Sequence, residues 1–122
     1  VFKPAGESWS REDLLTLGPA LEHHRLFPNR TNVQLAVPTG AKEISILIWE
    51  RGAGETQASG SSSCAAASAA VRLGLVKSPV TVRMPGGSLN VEVDRDFALT
   101  MKGPVAEVAR GSLSPSFVRG LK

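Results

Sequence analysis

The residue types best able to do chemistry lie close together, between Glu50 and Cys64. The run Glu50-Arg51-Gly52-Ala53-Gly54-Glu55-Thr56-Gln57-Ala58-Ser59-Gly60-Ser61-Ser62-Ser63-Cys64 begins with adjacent opposite charges, passes through a glycine-rich turn and enters an Ala-rich segment. Amides from Ser59 to Ser62 then fall at a helix start, where backbone N–H groups have no acceptor within the helix. Such a terminus favours an anion, and a small carboxylate fits there as readily as a phosphate. No Lys follows the glycines, so this is not a Walker loop. The same pattern also fits a plain helix entry capped by serine side chains. Glu50 and Arg51 also read as a surface ion pair, which contributes little to stability. Cys64 reads as a small buried hydrophobe rather than a reactive thiol. His23 and His24 stand at the end of a short helix with no Cys or carboxylate at ligand spacing, so no metal site is expected.

The elements that must position these residues are legible from pattern. Ser10 and Asp13 have capping-box spacing, which opens a short helix from Arg11 to Leu17. Gly18-Pro19 is expected to interrupt it, with a second turn from Ala20 to His24. Phe27-Pro28-Asn29-Arg30 reads as a turn. Strands are expected over Thr31–Val37, Glu43–Glu50, Val80–Met84, Ser88–Asp94, Phe97–Lys102 and Val105–Arg110, with Pro85-Gly86-Gly87 as a tight hairpin standing apart from the Ser59 region. The stretch from Ser59 to Gly74 reads as a helix with small residues on every side and one charge, Arg72. That perimeter predicts a helix almost entirely enclosed by a curved, mainly antiparallel sheet. The expected fold class is therefore α+β.

Composition narrows the function classes. The chain has 122 residues, 42% hydrophobic and 20% charged, the range of an ordinary globular domain rather than a disordered segment. A net charge of +3 with scattered arginines, and aromatics at 5%, argue against a nucleic-acid surface. No run approaches the roughly 20 apolar residues of a membrane span. One cysteine and no signal-peptide pattern lead to the expectation of a reducing, cytoplasmic setting. The chain begins at Val1 without an initiator Met, which reads as a cut in a longer polypeptide.

Taken in order, five landmarks resemble the diaminopimelate epimerase family. They are Leu17-Gly18-Pro19-Ala20-Leu21-Glu22, Phe27-Pro28-Asn29-Arg30-Thr31-Asn32-Val33, the Glu50–Ala65 run, Pro85-Gly86-Gly87-Ser88-Leu89 and Met101-Lys102-Gly103-Pro104-Val105. The resemblance implies a two-lobed protein with the active site in the cleft. This chain would be most of the C-terminal lobe, incomplete on its N-terminal side, with a tail from about residue 111 packing on the other lobe. The implied reaction takes a proton from an amino-acid α-carbon and returns it on the opposite face, without cofactor, using two cysteines.

By the same resemblance, Asn32, Glu50, Arg51, Gly60 and Ser61 hold the substrate, and Ser59 stands where the family places its second catalytic Cys. A hydroxyl is far less acidic than a thiol, whose reference pKa is about 8.5. Three accounts of Ser59 stay open: altered chemistry by natural substitution, an engineered inactivating change, or a noncatalytic paralogue. The expected partners are diaminopimelate and the missing N-terminal lobe as a separate chain, with a homodimer as a further assembly. The alternative function is an amino-acid-binding protein on the same fold, noncatalytic or of different specificity.

Overall fold

Ser10 caps α1 (Arg11–Glu22) reciprocally. Its hydroxyl accepts the Asp13 amide at 3.0 Å, and the Asp13 carboxylate accepts the Ser10 amide at 2.9 Å. In this computed structural model, which describes residues 1–121, α1 runs unbroken through Gly18 and Pro19, against the expected interruption. Leu14, Gly18 and Glu22 recur every fourth residue and form its buried stripe. Gly18 is there for proximity. A Cβ on it would stand 2.6 Å from the Trp49 ring, so only Gly lets α1 lie against that indole. Burial of the stripe outweighs the hydrogen bond that Pro19 forfeits.

Among the described residues, six strands make one sheet: β1 (Val33–Gly40), β2 (Glu43–Glu50), β3 (Gly54–Thr56), β4 (Val80–Met84), β5 (Gly87–Val93) and β6 (Leu99–Lys102). The main path is β1-β2-β4-β5-β6, antiparallel except for the parallel β2–β4 pair. β1 pairs with β2 along nearly its whole length, from Val33 opposite Trp49 to Gly40 opposite Glu43. β3 and β4 therefore share the other edge of β2 end to end: β4 opposite Glu43 to Ser45, β3 opposite Ile48 to Glu50. Alternation along β2 sends Ile44, Ile46 and Ile48 to one face and Leu47 and Trp49 to the other, where α1 packs.

On the first face lies α2 (Gly60–Arg72), touching β1, β2, β4, β5 and β6. Ala66, Ala67 and Ala70 are buried in the core with the isoleucines, and their small side chains allow the close approach. The helix ends in a Schellman arrangement: the Gly74 amide donates to Val71 O at 3.0 Å and the Leu75 amide to Ala70 O at 2.9 Å, with Gly74 at φ +70°. The enclosure expected from its composition is only half realised. Ser61, Ala65 and Arg72 are exposed, because the sheet stays open and covers one side of the helix.

Two further departures lie at the C-terminal end. The strand expected over Val105–Arg110 is absent; Val105 and Val108 are 98% and 95% exposed. Gly103-Pro104 follows the edge strand β6, and no strand pairs with the β-branched residues beyond it. A short helix not expected from pattern, α3 (Pro115–Arg119), follows Ser114 as cap. Among the described residues no helix is long and apolar enough to cross a membrane.

Candidate functional site

The turn after β2 is held at successive amides. The Ala53 amide donates to Glu50 O at 3.0 Å, closing the turn. Asn32 Oδ1 accepts the Arg51 amide at 2.8 Å, and Arg51 Nη1 donates to Asn29 O at 3.1 Å. Glu22 Oε1 accepts the Gly52 amide at 3.0 Å, from the last residue of α1. Gly52 and Gly54 sit at φ +78° and +81°, where a side chain would be strained. Asn32, Glu50 and Arg51 thus come together at one end of the sheet. The Asn32 side-chain carbonyl is engaged with the turn, and among the described residues its amide group has no acceptor.

The second part of the site is the entry to α2. Ser59 is its N-cap, with an extended backbone, and its Oγ accepts the Ser62 amide at 3.4 Å and lies 3.3 Å from Ser61 Oγ. Ser59 O takes the Ser63 amide at 3.1 Å and the Ser63 hydroxyl at 2.8 Å. Among the described residues the amides of Gly60 and Ser61 have no acceptor, the condition in which a helix terminus takes an anion. Met101 packs close over Gly60, where an added Cβ would stand 3.0 Å from its Cε.

The hairpin at Pro85 is not remote from this entry, as the sequence had suggested. Because β3 and β4 meet end to end on β2, the β4–β5 turn abuts residues 57–59. The Gly86 amide donates to Gln57 O at 2.8 Å, and the Ser59 amide to Met84 Sδ at 3.5 Å. A Cβ on Gly86 would lie 2.9 Å from Gln57 O, so this approach requires glycine. Ser59, Gly60, Gly86, Gly87 and Leu89 are among the residues lining an open depression of about 260 Å³.

Asn32, Glu50 and Arg51 do not line that depression. The two groups are joined through Gln34 on β1, two residues and about 7 Å along the strand from Asn32. Gln34 Nε2 donates to Ser62 Oγ at 3.0 Å, tying β1 to the start of α2. Gln34, Glu22 and Gly86 are the participants that sequence reasoning passed over. Gly86, in a Pro-Gly-Gly turn, and Glu22, at the end of the first landmark, carried a signal; Gln34 carried none. His23 Nδ1 lies 3.0 Å from Pro19 O, at the end of α1.

Hydrogen bonding sets the charge state beneath the turn. Glu22 is buried, and its carboxylate is held below the ordinary value of 4.5 first by the Trp49 indole N–H at 2.7 Å, against the opposing effect of burial. The Gly52 amide, His23 and Arg30 lower it further. Glu55, bonded to Arg11, and Glu43, bonded to Arg83, are displaced the same way. A depressed folded-state pKa gives stability that is complete above the unfolded value and lost as pH falls through the folded one. The Glu22 carboxyl carbon resonance is therefore expected to titrate with its midpoint below 4.5. A midpoint above 4.5 would mean that burial, not hydrogen bonding, dominates at Glu22.

Residues 7–108 match the family model described as diaminopimelate epimerase. Among curated proteins, the chain is 50% identical over 97 residues to diaminopimelate epimerase 2 of a Nostoc species, covering 80% of this chain and 34% of that one. It is 45% identical over 108 residues to the diaminopimelate epimerase of Rhodospirillum centenum, covering 88% and 37%. The chain thus spans about a third of the length of these curated relatives. Among solved structures it resembles a phenazine biosynthesis protein of the PhzF family from Bacillus anthracis. The TM-score is 0.54 at 12% identity, covering 76% of this chain and 30% of that one, a likeness of fold alone.

Proposed function

The chain belongs to the diaminopimelate epimerase family, and on that premise we propose that it is the substrate-binding C-terminal lobe of a cytoplasmic amino-acid epimerase. In this reading the whole polypeptide interconverts LL- and meso-diaminopimelate by cofactor-independent, two-base proton transfer at the α-carbon. The amides of Gly60 and Ser61 hold the α-carboxylate. Asn32, Glu50 and Arg51 contact the remaining polar groups of the substrate, and Ser59 faces the α-carbon in the acid/base position. The other acid/base group comes from the remaining lobe. The observation that carries the reading is the pair of unpartnered helix-terminal amides directly beside the Ser59 hydroxyl. An oriented amide pair of this kind also stabilises the charge that develops when the α-proton leaves. The exposed side chains of Leu113, Phe117 and Leu121 support packing of the tail on the other lobe.

A second reading, an amino-acid-binding protein without turnover, is favoured by Ser59 itself. Its Oγ accepts the Ser62 amide, and the side chain bonded to that oxygen among the described residues is the Ser61 hydroxyl, which is no base. Titrating the full-length protein with diaminopimelate separates binding from its absence. Amide shifts are expected at Gly60, Ser61 and the Glu50–Gly52 turn. Shifts confined to Pro38–Gly40, at the opposite end of β1, would refute both readings. The Pro85 hairpin adjoins the site and is not a remote control.

A further inference from the structure

We propose that Glu22 is a positioning residue for the substrate-contacting turn, fixing from beneath the sheet the backbone that carries Glu50 and Arg51. This rests on the functional reading above. Glu22 is 2% exposed, and a carboxylate so buried is tolerated only when its oxygens are satisfied. Oε2 accepts the Trp49 indole N–H at 2.7 Å; Oε1 accepts the Gly52 amide at 3.0 Å and Arg30 Nη1 at 3.2 Å. Trp49 and Arg30 together already give the charge a donor on each oxygen. The Gly52 amide has a different consequence, because it belongs to the turn. With Asn32 Oδ1 on the Arg51 amide and Glu50 O on the Ala53 amide, three successive backbone donors are fixed, and Glu22 supplies the middle acceptor.

Direction distinguishes Glu22 from a ligand-contacting group. Trp49, its closest partner, packs with α1, whereas Ile48 and α2 lie on the opposite face of the sheet. Glu22 therefore reaches the turn from the side away from α2. The Arg30 guanidinium completes the floor, about 4 Å from where a Cβ on Gly52 would be. The placement of Glu22 depends in turn on Gly18, which lets the Trp49 ring lie flat against α1.

Glu22→Gln keeps the volume but offers one acceptor oxygen where the carboxylate offers two, so its amide group faces a donor. Glu22→Asp keeps the charge and retracts it by a methylene, a second variant should the first fail to fold. Leu14→Ala is the control: it removes buried packing from α1 and takes away none of the Glu22 hydrogen bonds. In the full-length protein, both Glu22 variants should speed hydrogen exchange at the Gly52 amide and raise KM for diaminopimelate about tenfold or more, with a smaller change in kcat. Leu14→Ala, at comparable loss of thermal stability, should leave KM within about twofold. Unchanged Gly52 exchange in the Glu22 variants, or a KM rise in Leu14→Ala that matches theirs, would overturn the proposal. A wild-type protein that neither binds nor turns over diaminopimelate would sink the functional reading instead, and Gly52 exchange would still decide whether Glu22 positions the turn.

Discussion

Ser59→Cys in the full-length protein is expected to accelerate exchange of the substrate α-proton with solvent deuterium by about 10² to 10⁴-fold, the usual contribution of a positioned acid or base. The binding geometry stays in place, because the Gly60 and Ser61 amides and the α2 terminus do not depend on the Ser59 side chain beyond one cap bond of 3.4 Å. What changes is the group itself. A thiol of reference pKa about 8.5, lowered further at a helix N-terminus, supplies thiolate near neutral pH where a hydroxyl supplies no alkoxide. The neighbouring depression of about 260 Å³ leaves space for the larger sulfur. The gain should appear from one stereoisomer of diaminopimelate, the one whose α-proton faces residue 59. Equal rates for the two proteins, with ligand bound in both, would show that residue 59 does not face the reacting carbon.

Gly18→Ala should lower the stability of the full-length protein by about 1–3 kcal/mol, the cost of overpacking a filled site. The added methyl would meet two atoms of the Trp49 ring at 2.6 Å and the Trp49 Cβ at 2.9 Å, so ring and helix must separate. Neither yields easily: Trp49 is bonded to Glu22, and α1 buries Leu14 and Gly18 on the same side. The intrinsic helix preference of Ala over Gly, about 1 kcal/mol, acts in the opposite direction. The net sign therefore measures how tightly α1 is seated. A urea midpoint that stays put or rises would show that the indole moves aside freely.

How far each feature was legible in sequence follows from how local its cause is. β2 and β4 have the bounds expected from their β-branched alternation, because that pattern is written into consecutive residues. The turn at Gly52 and Gly54 and the helix after Ser59 were legible for the same reason. Pro19 misled, since a rule about local hydrogen bonds says nothing of the Leu14–Gly18–Glu22 stripe that holds α1 together. Val105–Arg110 misled in the opposite direction: its residues suit a strand, but a strand needs an edge to pair with. The nearness of Gly86 to Ser59 had no local cause at all. It arises because β3 and β4 divide one edge of β2, a fact of topology. Glu22 was hidden likewise, since its partners come from two other segments, Arg30 ahead of β1 and Trp49 with Gly52 at the end of β2.

The parallel pairing of β2 with β4 also governs when the site forms during folding. A chain leaving the far end of β2 must return to its beginning before β4 can pair, and that return consists of the Glu50 turn, β3 and α2. The β1–β2 and β4–β5 hairpins close over short distances and are entropically cheap to form early. Joining them closes the long crossover, and only then do Ser59 and Gly86 become neighbours. The junction of the α2 entry with the β4–β5 turn is thus expected to be among the last to acquire native contacts. Changes there act mainly on how fast the native state is lost, and little on how fast it is reached.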